Sequence, residues 1–338
     1  MEKKYKIIIL AVSLCLLVSF SFIVTFILDL GNRSFNTEQL GQIDTGGDAF
    51  DVEVHGDIAY VVDIADNNPG GLVILDVSDP THPYKLGSYY QSGLPISVSV
   101  AGDVAYLANR VVGLEILNIS DPTHPTKIGQ YTGSGEVYDV QVIGDIAYVS
   151  DWSMGLIILN VSDLSDVKVL ATFRISGACI QVYVVENLAY IVDHHSEFSG
   201  LKIINITNPS NPIQVGSNNP SGVDYWNPFA YGNFVYIGNH ALGAGELRIL
   251  NLEDPSHITL IGTFDDGSNI SAVYVNGTIA YLADYHKGLN IVDVSDPSNP
   301  RKIAQYSDGG HGYDVEVINN IAYVADGDDG LEIIEILI

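Results

Sequence analysis

The stretch "GLVILDVSDP", residues 71–80, is repeated along this chain of 338 residues. Its further copies are "GLEILNISDP" from residue 113, "GLIILNVSDL" from 155, "GLKIINITNP" from 200 and "GLNIVDVSDP" from 288, with weaker copies at Gly245 and Gly330. A second element, "IAYVVD", supplies the recurring tyrosines Tyr60, Tyr106, Tyr148, Tyr190, Tyr236, Tyr281 and Tyr323. The chain therefore contains seven units of about 42 to 46 residues, a period typical of paired-helix solenoids or propeller blades.

The residues within one unit favour four β-strands over two helices. "FDVEV" (50–54), "IAYVVD" (58–63), "GLVILDV" (71–77) and "YKLGSYY" (84–90) are short runs rich in Val, Ile and Tyr, separated by Gly, Asp and Pro. We name these strands a, b, c and d. Strands b and c are apolar at nearly every position, which predicts sheets stacked between neighbouring sheets. The pattern indicates an all-β fold of radially packed blades.

The two ends of the chain predict how the ring closes. The last unit stops at "GLEIIEILI", its strand c, and has no strand d. The surplus lies at the other end, where "LGQIDTGG" from Leu40 matches "LGSYYQSG" from Leu86. We therefore predict a seven-bladed β-propeller over residues 40–338, in which the N-terminal segment supplies the outer strand of blade seven.

These signatures, "GLxI(V/L)DVSDPxxP" and "IAYVAD", resemble the LVIVD-repeat family of bacterial and archaeal surface proteins. The resemblance covers about residues 40–338. It implies a propeller and a place at the cell surface. It implies no reaction and no catalytic residue, because the repeated residues are framework.

The N-terminus predicts a membrane anchor. Residues 7–28 carry no charge over 22 positions, which is enough for a helix to cross a bilayer. Lys3, Lys4 and Lys6 precede this segment, so the positive-inside rule places them in the cytoplasm. We expect an anchor at 1–28, a stalk at 29–39 and an extracellular propeller on a single-pass protein of the cell membrane. Lipidation of Cys15 is the alternative, but Leu14 does not suit a bacterial lipobox.

The charge of the chain limits its partners. The formal net charge is −27, from 41 acidic and 14 basic residues. Nucleic acid is therefore excluded as a partner, because phosphate binding needs clustered Lys and Arg. Such a charge keeps a domain soluble and favours a monomeric propeller.

Candidate binding residues cluster in the loops that join strand b to c and strand d to a, because these b–c and d–a loops share one face, called the top. Loop lengths vary mainly in the b–c loops, where binding usually resides. The densest sector lies between blades four and five and predicts an interface or pocket for a protein or glycan. Its residues are His194, His195, Glu197, Phe198, Tyr225, Trp226 and His240.

A second feature is the acid or amide that ends each strand b, at Asp63, Asn109, Asp151, Asp193, Asn239, Asp284 and Asp326. Such residues cap turns by accepting hydrogen bonds from backbone N–H groups, which is the interpretation we favour. The alternative is a ring of oxygen ligands for Ca²⁺ or another divalent metal, with His286 and His311 as further weak candidates. No other cofactor is expected.

No sequence motif identifies a catalytic site. The chain lacks G-x-S-x-G, H-E-x-x-H and a phosphate-binding glycine loop. The alternative to a binding module is a metal-dependent hydrolase or oxidoreductase at the mouth of the channel, which would need three or more ligands to converge there. Glycosylation sequons outside the repeat occur at Asn32, Asn269 and Asn276.

Overall fold

The chain folds into seven four-stranded antiparallel sheets arranged as the blades of a propeller. The computed structural model describes residues 36–64, 70–90, 93–133, 135–194, 200–240 and 245–337. Within these ranges the secondary structure consists of strands, and no helix there could cross a membrane. The predicted anchor at residues 7–28 lies outside the described ranges. The predicted all-β, seven-bladed propeller is confirmed.

The 28 strands are numbered in chain order, and β1 belongs to blade seven. Blades one and two contain β2 (Asp48–His55), β3 (Ile58–Ile64), β4 (Gly71–Asp76), β5 (Tyr84–Tyr90), β6 (Ser97–Ala101), β7 (Val104–Asn109), β8 (Gly113–Asn118) and β9 (Thr126–Tyr131). Blades three and four contain β10 (Val137–Ile143), β11 (Ile146–Asp151), β12 (Gly155–Asn160), β13 (Lys168–Phe173), β14 (Ala178–Val185), β15 (Leu188–His194), β16 (Gly200–Asn205) and β17 (Ile213–Asn218). Blades five and six contain β18 (Tyr225–Tyr231), β19 (Phe234–Asn239), β20 (Glu246–Asn251), β21 (Thr259–Asp265), β22 (Ile270–Asn276), β23 (Ile279–Asp284), β24 (Gly288–Asp293) and β25 (Arg301–Tyr306). Blade seven contains β26 (Asp314–Ile318), β27 (Ile321–Ala325), β28 (Leu331–Leu337) and β1 (Asn36–Ile43).

Each blade follows the predicted order, with strand a at the channel and strand d at the rim. Strands a and b are joined by two-residue turns, as at Gly56, whose φ of 62° suits glycine. Strands b and c are buried on both faces, as predicted, and strand d is largely exposed. Each core lies between two blades: Leu72 of blade one packs with Val98 and Leu107 of blade two. The blades are therefore held together by apolar packing around the ring.

The N-terminal strand closes the ring. β1 pairs antiparallel with β28, from Asn36 opposite Leu337 to Ile43 opposite Leu331, which confirms the predicted closure. Leu40 and Ile43 pack against the core between blades seven and one. The strand begins at Asn36, four residues before the predicted start, so residues 36–39 belong to the sheet rather than to the stalk.

Candidate functional site

The top face carries a cavity of about 530 Å³ at the mouth of the central channel. All seven blades line it, mostly with residues at the start of strand a and in the loops before it, and Ile64 and Arg110 line it from the end of strand b or just after it. The residues that supply aromatic rings or charge are Phe50, Asp51, Arg110, Tyr138, Asp139, Trp226, Tyr313 and Asp314. Aromatic rings beside a few polar groups are typical of ligand sites. The geometry therefore places a concave surface with these groups at the mouth of the channel.

Two rings of side chains follow from the register of strand a. In the upper ring, each residue of strand a pairs with the residue just before the acid or amide that ends strand b. In the lower ring, each residue of strand a pairs with the recurring tyrosine of strand b. The upper ring is Asp51, Ser97, Asp139, Gln181, Trp226, Ala272 and Asp314. The lower ring is Glu53, Ser99, Gln141, Tyr183, Phe229, Tyr274 and Glu316. The channel is therefore acidic on the side of blades seven and one and aromatic on the side of blades four to six.

The acidic ring side chains link neighbouring blades. Oδ2 of Asp51 accepts a hydrogen bond from the N–H of Val98 (2.7 Å), and Oε2 of Glu53 accepts one from Val100 (2.8 Å). Oδ2 of Asp314 accepts one from Val52 (3.2 Å) in the same way. These bonds satisfy backbone donors on the inner edge of each sheet, which would otherwise lack partners.

Burial of these carboxyl groups makes the channel electrostatically unusual. Desolvation raises the pKa of Asp51, and the neighbouring Asp314 carboxylate raises it further; desolvation also raises the pKa of Asp314. Desolvation also raises the pKa of Asp139, and it raises the pKa of Glu316 to about 8. A cation in the cavity would favour the ionised form of all four.

The predicted cluster between blades four and five forms in part. Trp226 stacks on His240, with ring centroids 4.9 Å apart, and lies edge-on to His194 at 5.6 Å. Nδ1 of His194 lies 2.8 Å from Oδ1 of Asp224, and this hydrogen bond raises the pKa of His194. Trp226 also lines the cavity, so the cluster borders the channel mouth. His195, Glu197 and Phe198 lie outside the described residues.

Tyr225 has a structural environment. Its side chain is fully buried in the core between blades four and five, and its hydroxyl donates to Oδ1 of Asn218 at 2.9 Å. The guanidinium of Arg248 lies 6.0 Å from its ring centroid. The ring is therefore not presented at the top surface.

Comparison with known proteins shows the family. The model of the LVIVD repeat matches seven segments: residues 46–91, 93–133, 134–173, 176–219, 226–266, 268–308 and 309–336. The chain belongs to the LVIVD-repeat family. No curated protein matches it.

Two solved structures show the same fold as this LVIVD propeller. One is a protein from Lactobacillus plantarum with a TM-score of 0.66 and 16% identity, over 77% of this chain and 86% of that one. The other is the computationally designed Ika8 protein, with a TM-score of 0.62 and 8% identity, over 88% of this chain and 99% of that one.

The residues that end strand b in the LVIVD propeller lie one strand outward from the channel, and none of the seven, all of them described, lines the cavity. Asp151 and Asp284 cap their b–c loops, because Oδ1 of each accepts hydrogen bonds from backbone N–H groups two or three residues later. Asp193 forms an ion pair with Lys202. Asp63 and Asp326 are buried too, and burial raises the pKa of Asp326 to about 7.

The two histidine candidates of blades six and seven lie in a second aromatic cluster. His286 and His311 both contact the ring of Tyr285, and their own rings are 6.2 Å apart. Tyr285 also contacts Tyr313, which stacks on Phe50 at 4.2 Å at the edge of the cavity. Among the described residues, the acidic side chains whose oxygens converge as possible metal ligands are Asp308, Asp326 and Asp329, away from the channel mouth.

The channel rings are the part of the site that sequence analysis missed. Their signal is the alternation within strand a, seen in "FDVEV", "YDVQV" and "YDVEV", where the polar residues occupy equivalent positions of different repeats. Two of the three sequons outside the repeat lie within the described ranges: Asn276 is exposed at an a–b turn, and Asn269 is partly buried in a d–a loop. Asn32 lies outside them.

Proposed function

We propose that this protein is a membrane-anchored extracellular binding module that recognises a partner protein by taking a lysine or arginine side chain into the channel mouth. The observation that carries the proposal is the chemistry of the 530 Å³ cavity, in which aromatic rings and partly buried carboxyl groups line one concave surface. Ammonium and guanidinium groups bind aromatic faces and carboxylates together. A glycan that carries an amino group is the alternative ligand.

The electrostatics of the cavity support a cationic ligand. Burial raises the pKa of Asp51 and Asp314, because it disfavours their charged forms. A cation beside the two carboxyl groups would favour their ionised forms and gain two charge-assisted contacts. Arg110 lines the same cavity, but Oε2 of Glu136 lies 2.6 Å from its Nη2 and neutralises it. The net charge of −27 would also speed the approach of a basic partner.

The direction of the N-terminal strand supports the membrane topology. β1 starts beside Leu337, at the bottom end of blade seven, and runs towards the top. A chain that comes from an anchor at residues 7–28 therefore enters the propeller from below. The top face with its cavity then points away from the bilayer, where an extracellular partner has access to it.

The test uses the full chain in detergent on an array of peptides, each with one lysine or arginine, beside matched glutamine peptides and glycans with and without amino groups. We expect basic peptides to bind and to weaken as salt rises. The double variant Asp51→Asn/Asp314→Asn keeps the acceptors for Val52 and Val98 but removes both charges, so we expect affinity to fall about tenfold. Trp226→Ala should weaken the same peptides.

The matched control is Asp57→Asn/Asp103→Asn, which removes two exposed charges from the bottom face. It should bind like the wild type. If only aminated glycans bind, the ligand is a glycan and not a partner protein. Ligands that bind the channel variant and the wild type equally well would refute the channel mouth as the site.

A further inference from the structure

Blade six contains a buried charge cluster that supplies its own cation. Nζ of Lys287 lies 3.6 Å from Oδ2 of Asp266 and also donates to the backbone carbonyl of that residue. Nδ2 of Asn290 donates to Oδ2 of Asp266 (2.8 Å) and to Oδ2 of Asp284 (3.2 Å). One ammonium and one amide thus accompany two carboxylates at the top of this blade.

Blade seven carries the same four positions with different chemistry. The segment "DYHKGLN" (284–290) aligns with "DGDDGLE" (326–332), so that Asp329 replaces the lysine and Glu332 replaces the asparagine. Asp308, in the loop before strand a, stands where Asp266 stands in blade six. Blade seven therefore has two further acids at the positions where blade six has a cation and an amide.

The four acids of blade seven are close together and partly inaccessible. Single carboxylate oxygens of Asp308, Asp326 and Asp329 all lie within 4.8 Å of one another. Asp326 is 0% exposed and Glu332 is 1% exposed, whereas Asp308 is open to solvent. The Glu332 carboxyl lies beside both Asp308 and Asp326. One end of the cluster, with Asp326 and Glu332, is thus buried, and the other end, with Asp308, is open to solvent.

No cation of the described chain balances this cluster. Among the described residues, the ion pairs that Lys and Arg form involve other acids, and neither carboxylate oxygen of Asp326 accepts a hydrogen bond from an N–H group. Glu332 accepts long hydrogen bonds of 3.3 Å from Tyr306 and Gln39. Buried unpaired carboxylates are costly, and in two other blades a lysine pairs with the acid at an equivalent position: Lys202 with Asp193, and Lys127 with Glu115.

We propose that blade seven binds one Ca²⁺ ion through Asp308, Asp326 and Asp329, with Glu332 as a further oxygen ligand at the base. The ion takes the place that the Lys287 ammonium has in blade six. An all-oxygen ligand set without Cys or His suits a hard cation, and the exposed Asp308 gives it an entry path. The site is separate from the channel mouth, so it stands or falls independently of the proposed ligand.

The experiment measures Ca²⁺ binding by the chelator-treated full chain through calorimetric titration and thermal unfolding. We expect one Ca²⁺ per chain with a dissociation constant on the order of 1 mM or tighter, and a midpoint that rises with Ca²⁺ concentration. Mg²⁺ should bind more weakly, because it gives up its water shell reluctantly. Asp329→Asn should weaken Ca²⁺ binding at least tenfold and leave the chain folded, because Asp329 is only partly buried.

The decisive variant is Asp329→Lys/Glu332→Asn, which gives blade seven the residues of blade six. We expect it to lose the Ca²⁺ response and to melt without Ca²⁺ above the chelated wild type. Asp328→Asn is the control, because its side chain is 77% exposed and it should keep the wild-type response. The proposal is overturned if the wild type binds no Ca²⁺ at millimolar concentration, or if the blade-six variant binds it as tightly as the wild type.

Discussion

Glu316 shows how a single side chain in the channel has two opposing effects. Its Oε2 accepts a hydrogen bond from the N–H of Val54, which joins blade seven to blade one. Desolvation outweighs this bond and raises the pKa of Glu316 to about 8. The carboxyl group therefore favours its neutral form in the folded protein at pH values where it is ionised in the unfolded chain.

This difference predicts a pH dependence of stability. A raised folded-state pKa stabilises the fold fully below about pH 4.5, and the stabilisation is lost as the pH rises to about 8. Glu316→Gln keeps an acceptor for Val54 but cannot ionise. We therefore expect it to raise the free energy of unfolding by about 2 kcal/mol at pH 9 and to change it little at pH 5, where the residue is neutral in the fold. Chemical denaturation at the two pH values measures this.

Glu253→Gln is the matched control, because Glu253 is exposed in a c–d turn on the bottom face. It should change the stability equally at both pH values. An effect of Glu316→Gln that is the same at pH 5 and pH 9 would contradict the assignment of the raised pKa to the folded channel.

At the scale of the elements, β1 is the one strand whose partner lies at the other end of the chain. Removing residues 1–43 would expose the outer edge of β28 and uncover the core residues that Leu40 and Ile43 contact. We expect this truncation to melt several degrees below one that lacks only residues 1–35, and to aggregate, because an unpaired edge binds other strands. Thermal unfolding with light scattering compares the two. Equal midpoints would mean that the ring does not need β1.

The blades could be predicted because their signals are local. A glycine at five of the seven a–b turns and a tyrosine in each strand b fix the register of the units within a few residues. The start of β1 was missed for a physical reason. Its first residues, 36–39, face mostly solvent and read as the polar sequence "NTEQ", so they carry no apolar alternation.

The candidate site could be predicted only where it depends on neighbouring loops. Trp226, His194 and His240 were expected together because the loops that carry them are adjacent on one face, and the rings do contact each other. The bonds between channel side chains and the next blade connect residues 43 to 47 apart, as Asp51 and Val98 are, and 262 apart where blade seven meets blade one, as Asp314 and Val52 are. Such contacts depend on the closed ring and therefore have no signature within one repeat.

At the scale of the whole molecule, the proposed topology is tested by cysteine labelling on intact cells. Cys179 is fully buried, so the folded propeller contributes little background. Ser210→Cys introduces a thiol at an exposed c–d turn, and Lys3→Cys introduces one before the apolar segment. A membrane-impermeant maleimide should label the first variant on intact cells and the second only after permeabilisation. The reverse pattern would place the propeller in the cytoplasm.

Because β1 begins at Asn36, at most seven residues, 29–35, separate the proposed anchor from the sheet, a reach of about 25 Å. The bottom-face label at Ser210 should therefore be shielded from bulky reagents, whereas a thiol from Trp152→Cys on the top face should react freely with them.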